Sequence, residues 1–195
     1  MSVETNRLVS LPGLIPHDQG MVLARLAAEV PASGVVVELG SYKGKSTCYL
    51  AYGAKQSGAH VYAIDPWDLL GNPNGKHRFA EPETRKAFDR VVRGMGYSSL
   101  ITPIQGFSQE VAGWWAKIPG PKVDLLYIDG DHSYEAVMGD FVAWHPHLAE
   151  NAVVAFDDLD TPKNPGVRKA VDLIKAQGNH KSFEVLCDRL AVFRL

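Results

Sequence analysis

The chain has 195 residues, 46% of them hydrophobic and 22% charged, which is enough for one domain with a sizeable core. Its formal net charge of −2 gives no electrostatic reason to expect nucleic acid or an anionic membrane as a partner. No apolar run approaches the ~20 residues that span a bilayer, and the N-terminal stretch lacks the pattern of a secretion signal. Cys48 and Cys187 are isolated and suit reduced thiols in a cytoplasmic protein.

In chain order, residues 16–31 form an amphipathic pattern opened by Pro16, the pattern of a helix. Then come short apolar runs bounded by turn residues: VVVEL (35–39), HVYAID (60–65), LITPI (100–104), VDLLYID (123–129) and AVVAF (152–156). Such runs suit strands buried on both faces of a parallel sheet. Helical segments alternate with them. Residues 45–55 follow the first strand, 82–95 place Ala87, Val91 and Val92 on one face, and 108–117 follow the third strand. Residues 133–145 start at Ser133 with a stripe of Val137, Phe141 and Trp144, and 164–178 bring Val167, Val171 and Ile174 together and end on Gly178. Residues 182–195 read as two strands joined by a tight Cys-Asp-Arg turn, which must be antiparallel. The expected fold is therefore α/β: a doubly wound, Rossmann-like, mostly parallel seven-stranded sheet with an antiparallel C-terminal hairpin. The chain 1–195 is expected to be one domain, with 1–33 an N-terminal helical segment and 66–81 a long loop inserted beside the site.

The loop after the first strand, ELGSYKGKST, imitates a phosphate-binding P-loop, and a nucleotide hydrolase is one alternative. Its Gly40 and Gly44 enclose three residues, whereas the phosphate cradle needs four. Glu38 just before it would repel a polyphosphate and suits a ligand with positive groups. The second strand also ends on an acid, Asp65, the usual partner of ribose hydroxyls in nucleotide folds. Together these point to a cationic nucleoside without polyphosphate, for which S-adenosylmethionine is a fit. The glycines could also serve only a tight turn, and Glu38 only local structure.

The motifs ELGSYKGKS (38–46), GFSQE (106–110), YIDGDHSY (127–134) and FDD (156–158) occur in that order. In this the chain resembles the class I S-adenosylmethionine-dependent methyltransferases, particularly the catechol O-methyltransferase-like and metal-dependent sugar O-methyltransferase groups. The resemblance implies that Glu38, Gly40, Ser41, Tyr42, Gly44 and Ser46 surround the methionine moiety. It implies that Asp65 holds the ribose beside Pro66 and Trp67, that Gly106, Ser108 and Gln109 line the adenine, and that Asp129 borders the cofactor. It further implies a Mg²⁺ site at Asp129, Asp157 and Asp158, whose carboxylates would repel one another without a cation between them. Strand-end acids could instead be exposed or cap loops.

Methyl transfer to a hydroxyl needs a base. His132, three residues past Asp129, stands where the catechol-type enzymes carry a lysine, and Asp131 is the competing candidate because sugar-modifying relatives carry an Asp there. His132 could alternatively cap the following helix. The 66–81 loop is expected to fold over the site, with Trp67, Lys76, His77 and Arg78 available to a polar acceptor, or else to be a surface loop. At least one of Trp114 and Trp115 is expected in the core, and His145 and His147 to mark a helix end. The expected partner is a small hydroxylated acceptor, a sugar or natural product, with no nucleic acid and no membrane, and with a homodimer as an open possibility. A non-catalytic cofactor-binding domain on the same fold is the remaining alternative.

Overall fold

A computed structural model describes residues 2–67, 83–115, 117, 122–160 and 165–195. Helices α1 (Val3–Val9) and α2 (His17–Ala28) precede strand β1 (Val35–Leu39), followed by α3 (Lys45–Ser57), β2 (His60–Asp65), α4 (Thr84–Met95) and β3 (Ile101–Gln105). Then come α5 (Ser108–Trp115), β4 (Val123–Ile128), α6 (Tyr134–Trp144), β5 (Leu148–Phe156), α7 (Pro165–Gln177), β6 (Ser182–Leu186) and β7 (Leu190–Arg194). They build one seven-stranded sheet in the order β3-β2-β1-β4-β5-β7-β6. Strands β1 to β5 pair in parallel, and β7 runs antiparallel to both β5 and β6. This is the expected Rossmann-like fold with its antiparallel terminal hairpin.

All five residues of β1 are buried, as a central strand covered on both faces requires. One core packs α1–α4 on one face through Leu23, Tyr49, Leu50 and Phe88, and a second packs α5–α7 on the other through Val137, Trp144, Val171 and Phe156. The stripes expected on α6 and α7 are buried as read. On α4 the buried face is centred instead on Phe88 and Val92, with Thr84 and Met95, and Ala87 and Val91 lie at its margin. Strand β5 starts four residues before the apolar run that signals it: Val123 pairs with Leu148, and Glu150 and Asn151 are exposed, so hydropathy marks only its buried end. The helix α1 carries no strong sequence signal. Ser2 caps it through the Thr5 amide, and Tyr97 Oη donates to Glu4 at 2.7 Å. Trp115 packs edge-on to Tyr62 at 4.9 Å between ring centres, whereas Trp114 is exposed; His145 to His147 form a short 3₁₀ turn at the end of α6. Among the described residues no helix is long and apolar enough to cross a membrane.

The strand order reverses direction between β1 and β4, and the register keeps their ends level: Leu39 pairs with Ile64 on one side and Ile128 on the other. Gly40, Asp65 and Asp129 therefore emerge together at the carboxyl edge, where open α/β sheets bind ligands. Backbone bonds continue the ladder past the strands, from Gly40 N to Ile64 O (2.9 Å), Asp129 N to Leu39 O (2.8 Å) and Asp157 N to Ile128 O (3.1 Å).

Candidate active site

The loop after β1 is shaped by backbone conformation. Gly40 has φ +91°, and a Cβ placed on it would lie 2.2 Å from the Asp129 carbonyl oxygen, so only glycine lets the two strand ends come this close. The following turn returns the chain to α3, with Gly44 as its left-handed N-cap. Asp65 stitches this loop to the one after β2: Tyr42 N–H donates to its Oδ2 at 2.8 Å and Trp67 N–H to its Oδ1 at 2.6 Å. Trp67 Nε1 closes the link by donating to the Tyr42 carbonyl at 2.9 Å. Trp67 is 2% exposed and stacks near Phe88 at 5.0 Å with the Arg85 guanidinium 4.6 Å from its ring. It is thus turned inward, and the expectation that it meets the acceptor is corrected: its large ring is more stable in the α4 core than in a solvent-facing loop. Pro66 accepts from Gln105 Nε2 at 3.3 Å. The remainder of the expected lid, with Lys76, His77 and Arg78, lies outside the described residues.

Glu38 lies directly behind the loop and is fully buried. Thr47 Oγ1 donates to its Oε2, and the Ser46 and Ser41 hydroxyls lie around the carboxyl group. Yet Glu38 Oε1 and Ser41 Oγ have no well-aligned hydrogen-bond partner among the described residues. Burial raises the Glu38 pKa to about 7, against the pull of the surrounding hydroxyls. Ser46, expected around the methionine moiety, is buried beside Glu38 in the first turn of α3.

Beside Asp65, after β3, Gly106 is buried and its N–H donates to the Asp65 carbonyl at 3.1 Å. Ser108 and Gln109 open α5, where both meet Asp140 of α6: Ser108 Oγ donates to Asp140 Oδ1, and Gln109 Nε2 approaches the same oxygen at 3.4 Å. Trp144 Nε1 fixes the Ser108 carbonyl at 3.2 Å. The Gln109 amide lies close against Gly139, where a Cβ would come within 2.4 Å of Nε2. Asp140 is 5% exposed, and its burial raises its pKa against those two hydrogen bonds. Its sequence signal is an acid inside the apolar stripe of α6, between Val137 and Trp144.

The acids after β4 and β5 gather as expected, but with company. Tyr127 Oη bridges Asp157 Oδ2 at 2.9 Å and Asp129 Oδ2 at 3.1 Å. Gln19, wholly buried on α2, donates from Nε2 to Asp157 Oδ1 at 2.6 Å, and the Asp158 amide donates to the same oxygen at 2.7 Å. His132 stands between two carboxylates, with Nε2 3.4 Å from Asp129 Oδ1 and Nδ1 3.5 Å from Asp158 Oδ2. Arg189, from the β6–β7 turn, donates from Nη2 to Asp158 Oδ1 and holds Nε 3.6 Å from Asp157 Oδ1. Desolvation, then the charge of Asp157, pushes the Asp129 pKa well above the usual carboxylate range. Desolvation opposes protonation of His132, but the hydrogen bond and charge of Asp129, with Asp158 and Asp157, outweigh it and raise its pKa. Asp131 is exposed and uses Oδ1 to accept from the Ser133 amide at 2.7 Å, which helps turn the chain into α6. Gln19, Asp140 and Arg189 are the site residues that motif reading misses, because none lies in a motif; Tyr127 opens YIDGDHSY, but nothing in the motif marks it as the bridge between Asp129 and Asp157.

Residues 37–159 match the family described as "Methyltransferase domain". The chain belongs to the methyltransferase domain family. Similar solved structures include an O-methyltransferase from Bacillus cereus in complex with S-adenosylhomocysteine, with TM-score 0.73 and 15% identity over 100% of this chain and 92% of that one. They also include the calicheamicin methyltransferase CalS11, with TM-score 0.69 and 23% identity over 98% and 91%. The O-methyltransferase TomG from Streptomyces achromogenes, in complex with S-adenosylmethionine, gives TM-score 0.71 at 15% identity over 100% and 90%. At these identities the likeness is one of fold. Among curated proteins, an uncharacterized protein of Acanthamoeba polyphaga mimivirus is 27% identical over 142 residues, 72% of this chain and 58% of its own length. An uncharacterized protein of Sinorhizobium fredii is 28% identical over 133 residues, 64% of this chain and 13% of its own. The chain therefore spans less than two thirds of these curated relatives.

In this methyltransferase domain the two halves of the cleft differ in what they can hold. The unpartnered Glu38 Oε1 and the close approach at Gly40 fit a compact ligand carrying positive charge, as S-adenosylmethionine does. The three aspartates do not fit a divalent ion as they stand. Such an ion needs several oxygens with free lone pairs converging on one point. Asp157 already accepts from Gln19, Tyr127 and the Asp158 amide, and Asp158 is paired with a guanidinium. Among the described residues no group of three or more His, Cys, Asp or Glu side chains converges as a metal ion would require.

Proposed function

We propose that this methyltransferase moves a methyl group from S-adenosylmethionine to a hydroxyl of a small molecule, a sugar or natural product, with His132 as the base. The observation that carries this reading is the meeting, at one sheet edge, of Glu38, a buried carboxyl whose Oε1 has no well-aligned partner among the described residues, and the His132–Asp129 pair. S-adenosylmethionine supplies, when bound, a methyl group on a sulfonium that an oxygen nucleophile can attack. Gly40 lets the β1 loop and the Asp129 backbone close around that ligand, and Asp65 holds the loops after β1 and β2 in fixed relation. Such preorganisation lowers the entropic cost of bringing acceptor and donor into line.

His132 is positioned to remove the acceptor proton. In the tautomer that carries its hydrogen on Nε2, facing Asp129 Oδ1, Nδ1 is the nitrogen that takes the proton, and the imidazolium so formed meets Asp158 Oδ2. The resulting imidazolium lies between Asp129 and Asp158, which stabilise its charge. Asp131, engaged in a local turn, is the poorer candidate. Glu38 also weighs against the nucleotide-hydrolase alternative, since a buried carboxylate behind the glycine loop would oppose a polyphosphate. CalS11 is described as a TDP-rhamnose 3′-O-methyltransferase, and its 23% identity over 98% of this chain lends support to a sugar hydroxyl as acceptor. Calorimetric titration tests the reading. S-adenosylhomocysteine is expected to bind the wild type, ATP is not, and Glu38→Gln is expected to weaken the former roughly tenfold or more, as loss of a charged hydrogen bond does. Tight ATP binding with no response to S-adenosylhomocysteine would reject it.

A further inference from the structure

We propose that Arg189 is the built-in cation of this site, taking the place among Asp129, Asp157 and Asp158 that a divalent ion would need, so that the site works without Mg²⁺. Its catalytic meaning rests on the methyl transfer proposed above, but ion binding can be measured without any acceptor. Arg189 is placed by the fold and is no wandering surface side chain. Strand β7 pairs with the end of β5, Ala191 against Phe156, which carries the β6–β7 turn alongside residues 157 and 158. The turn is tight, with Cys187 and Asp188 both left-handed at φ +50° and +57°. The Arg189 carbonyl then accepts from the Leu159 amide at 2.9 Å, locking its backbone to the chain just beyond the acids.

From there the guanidinium reaches inward. Nη2 bonds Asp158 Oδ1, while Nε is buried and faces Asp157 Oδ1 at 3.6 Å. The planar fork therefore touches both acids that follow β5, which a lysine point charge cannot do with the same geometry. On the far side, His132 spans Asp158 and Asp129. A fixed positive charge bonded to Asp158 and 3.6 Å from Asp157 repels a dication and occupies a lone pair of Asp158, while those of Asp157 are taken by Gln19, Tyr127 and the Asp158 amide.

The test is a Mn²⁺ titration followed by electron paramagnetic resonance of the free ion, with S-adenosylhomocysteine present. It compares the wild type, Asp158→Asn, Arg189→Met, Arg189→Lys and the double variant Arg189→Met/Asp158→Asn. Wild type and Arg189→Lys are expected to show no saturable binding into the millimolar range. Arg189→Met is expected to bind one Mn²⁺ at least tenfold more tightly, and the added Asp158→Asn to abolish that gain. Stoichiometric micromolar binding to the wild type, lost in Asp158→Asn alone, overturns the proposal; so does an Arg189→Met protein that folds and gains no affinity. Should Arg189→Met fail to fold, the wild-type titration decides on its own.

Discussion

The two ends of the cleft are built by different means. At the β1–β2 end the backbone does the shaping: positive φ at Gly40 and Gly44, and two amides gripping Asp65, leave one buried carboxyl oxygen unanswered. At the β4–β5 end the backbone only delivers acids, and side chains from α2, β4 and the terminal hairpin answer nearly every one of their oxygens. Unanswered buried atoms occur at both ends, Glu38 Oε1 and Ser41 Oγ at the first and Gln19 Oε1 and Arg189 Nε at the second, but only at the first is the unanswered atom a carboxyl oxygen.

The sharpest way to break this contrast is at His132. If the saturated end does the chemistry, His132→Ala should lower turnover of whichever sugar or phenol the wild type methylates by ~10²–10⁴-fold, the usual contribution of a positioned base. Affinity for S-adenosylhomocysteine, measured by calorimetry, should move less than about twofold, because the ligand-binding end is untouched. Equal turnover in the variant would remove His132 from the mechanism, and a matching loss of cofactor affinity would show that the two ends are not separate.

The second prediction concerns the ligand-free state. Glu38 has a folded pKa of about 7 against an ordinary 4.5, so the folded protein binds its proton more tightly than the unfolded chain does. Its contribution to stability is fully present below about pH 4.5 and is lost as pH rises through 7, a loss of about 3 kcal/mol. Urea denaturation of the wild type and Glu38→Gln from pH 5 to 8 should show this as a difference in slope, with the wild type weakening faster. Parallel curves would mean that the buried carboxyl is not held protonated, and the unanswered oxygen would lose its significance.

The two ends also differ in how far the sequence revealed them. The β1 loop is legible because its shape is local: two glycines enclosing three residues, an acid before them and a helix start after them can be read within ten residues. The sheet was legible for a similar reason, since buried parallel strands are continuous apolar runs. Asp129, Asp157 and Asp158 were legible as strand ends. Their partners were not. Gln19 is a polar residue on the inner face of α2, and Arg189 is the third residue of a tight turn, so each looks like ordinary punctuation until topology brings it 138 or 31 positions across the chain to its aspartate. The metal expectation failed to find a fitting ligand set because counting acids at strand ends omits the cations that folding delivers to them.

The smallest expected effect tests whether the ligand-binding end has a side-chain device of its own. Asp140 draws on the Ser108 hydroxyl and the Gln109 amide nitrogen, and Gly139 leaves room for that amide. Holding Nε2 on Asp140 leaves the Gln109 carbonyl oxygen as the acceptor presented elsewhere, which suits the exocyclic amine of adenine. In Asp140→Asn the side chain can itself donate, so the Gln109 amide is no longer held in one orientation. Affinity for S-adenosylhomocysteine should fall by about fivefold, near 1 kcal/mol and the scale of one net hydrogen bond. Affinity for the inosine analogue, which carries an oxygen at that position, should fall less or rise. The ratio between the two ligands is the useful readout, because simple loosening of α5 against α6 would weaken both alike. If the ratio stays constant, Asp140 only braces the helices, and the ligand-binding end is shaped by backbone alone.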